Sequence, residues 1–92
     1  MKVLFQEIDR YGSRPVKSKV IFLNDGPSSF KQGGKLDKEL VKEVFLEAIG
    51  EELEDEFFRY VQVRVDKEGN SVLMSGEETD YIFTNVDVLI ED

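Results

Sequence analysis

Cysteine, histidine and tryptophan are all missing from this sequence of 92 residues. Without cysteine no disulfide can form, so nothing in the chain asks for an oxidising compartment. Zinc, haem and iron–sulfur sites lose their usual ligands together with cysteine and histidine. Ser–His–Asp triads, cysteine nucleophiles and histidine general bases are excluded outright. The expectation is a protein with no cofactor and no metal that is not an enzyme. Long apolar runs are also lacking. They reach four residues, against the roughly twenty needed to cross a bilayer. The start, Met1 to Glu7, lacks the apolar core of a signal peptide. A cytoplasmic chain without membrane contact is therefore expected.

What is present fits one small domain spanning residues 1–92, with 40% apolar and 35% charged residues. Its charge is uneven. The net of −8 joins a first half, residues 1–46, of net +3 to a second half of net −11. Arg10, Arg14, Lys17, Lys19, Lys31 and Lys35 form a basic stretch opposed within it by Asp25 alone. Global acidity thus conceals a local basic segment.

The apolar pattern predicts strands over Lys2–Ile8 and Val16–Leu23, joined as an antiparallel hairpin by a loop containing Gly12 and Pro15. Ile21 and Leu23 suggest that the far end of the second strand is buried on both sides. From Asn24 to Lys35 runs a polar loop of about a dozen residues, long enough to be functional or mobile. Leu36, Leu40, Val41, Val44, Phe45, Ala48 and Ile49 then mark an amphipathic helix. Asp37 fits its N-cap and Gly50 its C-cap, although Leu53 continues the stripe, so the helix runs on or restarts as a short turn. Three further strands are expected, at Phe57–Val65, Ser71–Ser75 and Tyr81–Ile90. Gly69 suits the left-handed position of the turn between the first two of these. The fold class is α+β: a mainly antiparallel sheet of four to five strands with one helix on one face, in the order β-β-α-β-β-β.

Most tests for chemistry fail. The segment Ser29–Leu36 approaches a P-loop but puts Ser29 at the first glycine and Leu36 at the magnesium-binding hydroxyl. Asp66, Glu68, Asn70 and Glu77 occupy calcium-loop spacings, yet Ser71 stands where the loop requires glycine. Ser28 and Ser29 precede Lys31, but a Ser–Lys dyad needs a desolvated lysine, and this loop is polar. The run Glu51–Glu56 is acidic except for Leu53. Crowded carboxylates can hold magnesium or share a proton, though the plainer reading is a solvated acidic face.

Binding is therefore expected over catalysis. The principal reading is an intracellular protein–protein interaction module, an acidic inhibitor or regulator presenting carboxylates to a basic partner. Its contact charges would be Glu51, Glu52, Glu54, Asp55, Glu56, Glu77, Glu78 and Asp80. The alternative is single-stranded nucleic acid, held by Arg10, Tyr11, Arg14, Phe30, Lys31 and Lys35, since rings stack on bases while cations meet phosphates. Self-association of the basic hairpin with the acidic surface of another copy is a third class. A small magnesium-dependent enzyme using carboxylates is the remaining one.

Overall fold

The computed structural model describes residues 1–12, 14–23 and 28–89, without the side chains of Pro15, Val88 and Leu89. The expected strand break at Asn24–Pro27 and the end of the last strand at Ile90 lie outside the described residues. The chain opens with β1 (Lys2–Asp9) and β2 (Arg14–Phe22), then a two-stranded ribbon of β3 (Lys31–Gln32) and β4 (Lys35–Leu36). Helix α1 (Lys38–Ile49) and one-turn α2 (Phe57–Tyr60) follow. Strands β5 (Gln62–Val65), β6 (Ser71–Ser75) and β7 (Thr79–Asn85) lead to a 3₁₀ turn at Val86–Leu89. The main sheet has five strands in the order β2-β1-β7-β6-β5, every neighbouring pair antiparallel. This is an α+β chain. None of its described helices is long and apolar enough to cross a membrane.

Register sorts the side chains into two faces. One row runs Lys19, Phe5, Phe83, Val72 and Val65, and the neighbouring row on the other face runs Ser18, Gln6, Ile82, Leu73 and Arg64. The first face supplies Val3, Phe5, Phe83, Val72 and Met74, all fully buried, to a single apolar cluster. Helix α1 adds Leu40, Val41, Val44, Phe45 and Ala48 to the same cluster. Its spacing places these on one stripe, so one helix covers what the strands leave apolar. Aromatic rings bind the layers: Phe5 and Phe83 lie 5.3 Å apart, and Phe45 meets Tyr81 edge-on at 5.3 Å.

The caps of α1 are set by its flanking residues. Asp37 accepts from the Leu40 N–H at 3.1 Å, and Gly50 ends the helix in the left-handed region at φ 84°. No basic residue occupies the last turn. Instead Lys19 reaches across from β2 and donates to the Glu47 carbonyl at 2.7 Å, placing a cation at the negative end of the helix.

Four expectations need correction. Phe57–Tyr60 is a helical turn, and the strand expected from Phe57 begins only at Gln62. The last strand starts at Thr79 and stops at Asn85, where Asn85 Oδ1 accepts from the Asp87 N–H and turns the chain into the 3₁₀ segment. The far end of β2 is not buried on both sides. Ile21 and Leu23 face the core, but Phe22 between them is 67% exposed. Finally, the described part of the long loop is tied down, with a ribbon of its own and Phe30 inside the core.

Candidate functional site: an acidic, aromatic end

The strands define two ends. Turn 66–70, the ribbon and the start of α1 lie at one; turn 76–78, the β1–β2 tip and the Arg10–Asp80 pair lie at the other. Helix α1 begins at the first end, where the Asp37 N–H bonds the Phe30 carbonyl at 2.8 Å. Its far end delivers Glu51–Glu56 toward the second.

Gly50 releases the chain from α1, and Leu53, 6% exposed, anchors the acidic run in the core. Glu51, Glu52, Glu54, Asp55 and Glu56 are all left exposed. The next turn closes on this run itself: Phe57, Phe58 and Arg59 donate their N–H groups to the carbonyls of Glu54, Asp55 and Glu56. Phe57 is half-buried and packs near Phe45 and Tyr81, at 6.1 and 6.5 Å between ring centres. Tyr60, one turn on, points away and is 84% exposed.

A groove of about 350 Å³ joins α2 to the turn after β6, lined among others by Phe57, Tyr60, Glu77, Glu78 and Tyr81. The groove thus joins Glu77 and Glu78 to the turn that directly follows the acidic run, without a lining residue from Glu51–Glu56 itself. Tyr81, in the wall of this groove, also lies within reach of Glu51. Its hydroxyl is held above its ordinary pKa, first by burial and then by the negative charges of Glu7 and Glu51. A second groove, about 490 Å³, lies between α1 and the acidic run, with Glu39, Glu43 and Glu52 beside Leu46 and Leu53.

Two of the expected contact charges are already engaged. Asp55 meets Lys42 Nζ at 2.6 Å, which lowers the carboxyl pKa chiefly through that hydrogen bond and raises that of the lysine. Asp80 meets Arg10 Nη2 at 2.5 Å. Glu51, Glu52, Glu54, Glu56, Glu77 and Glu78 make no ion pair among the described residues. No group of three or more described acidic side chains converges to hold a metal ion.

The basic set is not one surface. Arg10, Tyr11 and Arg14 lie at the acidic end, where the Arg10 N–H bonds the Glu78 carbonyl at 2.9 Å. Lys31 and Lys35 lie at the opposite end, and Lys31 Nζ donates to the Lys67 carbonyl at 3.0 Å. The length of β6, roughly 17 Å, separates the two groups. Phe30 cannot stack on a base, because it is fully buried beside Phe83, 6.3 Å between ring centres. The apolar requirement of the core claimed this ring. Two further residues matter at the ends. Tyr60 sat inside an expected strand, and its signal was an aromatic immediately beyond an acidic run. Asn85, 2% exposed, was read as one of an alternating series, and nothing in the sequence marks it.

No protein-family model matches this chain, and neither any curated protein nor any solved structure does so.

Proposed function

We propose that this chain is a non-enzymatic cytoplasmic protein-binding module whose acidic end takes a partner with a basic surface, as an inhibitor or regulator would. One observation carries the reading: Tyr60, 84% exposed, lines a groove with Glu77 and Glu78, on the helical turn that directly follows the exposed acidic run Glu51–Glu56. Tyrosine is a common anchor in protein interfaces, since it offers a large contact area with few rotatable bonds and a polar tip. Surrounding carboxylates would steer a basic partner and fix its orientation. Leu46, 41% exposed, supports the same reading: its groove is edged by Glu39, Glu43 and Glu52, while the one lysine in its lining, Lys42, is already paired with Asp55, which suits the stem and head of an arginine or lysine.

Capture of partners from the native host on immobilised protein, followed by titration of the captured partner, tests this. Tyr60→Ala should weaken binding by about 2 kcal/mol or more, as an anchor residue does. Joint reversal of Glu51 and Glu52 to lysine should slow association and flatten its salt dependence. Binding unchanged by both variants and by salt would overturn the proposal.

A further inference from the structure

A second surface has the opposite charge preference. Strand β2 forms one edge of the sheet and is nine residues long, whereas β5 at the other edge has four. Met1 and Leu23 exchange both backbone hydrogen bonds, at 2.7 and 2.9 Å. Antiparallel pairs alternate between those that exchange such bonds and those that do not. Counting from Met1–Leu23, the pairs Val3–Ile21, Phe5–Lys19 and Glu7–Lys17 are bonded, while Lys2–Phe22, Leu4–Val20 and Gln6–Ser18 are not. Ser18, Val20 and Phe22 therefore turn their N–H and C=O groups away from β1, out of the sheet. A register shift opposite Glu7/Ile8 ends this regular stretch near Val16.

The side chains of the same residues are open. Val20 is 42% and Phe22 67% exposed, on the face that α1 does not cover. On the other face Lys17 and Lys19 alternate with them, and β2 carries Arg14 but no carboxylate. Lysine on an edge commonly blocks unwanted pairing. Here Lys19 is drawn back over the sheet to the Glu47 carbonyl, 2.7 Å away. Lys17 makes no ion pair among the described residues, nor does Glu7 opposite it.

We infer that β2 accepts an extended segment of a partner protein as a sixth strand, one whose carboxylates alternate with apolar side chains. Backbone bonds to Ser18, Val20 and Phe22 supply the pairing. Carboxylates of the incoming strand lie beside Lys17, the edge lysine left without a partner among the described residues, and its apolar side chains beside Val20 and Phe22. A second copy fits less well. Pairing β2 with itself along its full length sets Lys17 and Lys19 against Lys19 and Lys17 of the other copy. This surface is distinct from the acidic end, and neither depends on the other.

The probe is a synthetic peptide alternating glutamate and valine, compared with one alternating lysine and valine. Backbone amide shifts of the full chain should move at Ser18, Val20 and Phe22 with the glutamate peptide and not with the lysine peptide. Ser18→Pro removes one outward N–H while sparing the β1 ladder, and should weaken the glutamate peptide by about tenfold. Lys17→Glu keeps the backbone intact and should weaken it by about fivefold while admitting the lysine peptide. The second variant carries the test should the proline unfold the strand. Equal binding of both peptides, shifts confined to other residues, or affinity unchanged in Lys17→Glu would overturn the inference. So would a dimer at equilibrium that Ser18→Pro dissociates, since the edge would then belong to a second copy.

Discussion

The two ends of the sheet are both made of turns between antiparallel strands, yet they are finished in opposite ways. At one end segment 28–36 is fastened onto turn 66–70. The Phe30 N–H bonds the Gly69 carbonyl at 2.7 Å, Ser29 Oγ donates to the Glu68 carbonyl at 3.2 Å, and Asn85 Nδ2 donates to the Ser28 carbonyl at 3.0 Å. Phe30 closes the core beneath them. At the other end α2 buries none of its residues fully, has no side-chain cap, and presents Tyr60 to solvent. A buried anchor thus stands where the sequence suggests a functional or mobile loop, and an exposed tyrosine where it suggests a strand.

Substitutions should separate these roles. Phe30→Ala empties a fully buried site and should cost about 3–5 kcal/mol in urea unfolding. Tyr60→Ala should stay within about 0.5 kcal/mol of the parent, because it removes an exposed ring. Equal costs at both positions would break the comparison. Gly69→Ala comes next at the closed end. Gly69 sits at φ 75°, and an added Cβ would collide with Ser29 Oγ, so a loss of about 1–3 kcal/mol is expected. Gly34 has a similar φ of 82° but open space around it, so Gly34→Ala should cost less in the same assay. Asp37→Ala follows at about 1 kcal/mol, read as a lower thermal midpoint, through loss of the bond to the Leu40 N–H.

How these regions were legible follows from what each signal measures. The stripe from Leu40 to Ala48, Asp37 and Gly50 defined α1 because periodicity and caps are local properties, and the same holds for the turn at Gly69. Phe57–Tyr60 misled because three aromatics and a following valine suit a strand equally well. The turn forms because the carbonyls of Glu54, Asp55 and Glu56 take its N–H groups while Phe57 packs near Phe45. Phe30 misled for the converse reason: an isolated aromatic among polar residues gives no period, and its burial depends on a place in the shared core beside Phe83 of β7. The acidic residues of the site were readable one by one. That Glu77 shares an end with Arg10 was not, since the pairing of β1 with β7 decides it.

The smallest expected effect lies within the acidic end itself, between a carboxylate that is paired and neighbours that are not. Asp55 is tied to Lys42 at 2.6 Å, and that hydrogen bond holds its pKa below the ordinary 3.8. A depressed folded-state value means that the pair stabilises the fold above the ordinary pKa. The contribution fades as the pH falls below it and is gone once Asp55 protonates in the folded chain as well. The Asp55 carboxylate is largely exposed and Lys42 partly so, so salt should screen the pair. Asp55→Asn should therefore lower the unfolding midpoint slightly at neutral pH and low salt, and this difference should vanish in acid or in high salt. Glu52→Gln, at an exposed carboxylate without an ion pair among the described residues, should show no such loss. A pH-dependent loss of the same size in both variants would mean that general repulsion within the run, and not the Lys42 pair, governs this end. The division of the run Glu51–Glu56 into an engaged Asp55 and available neighbours would then fail.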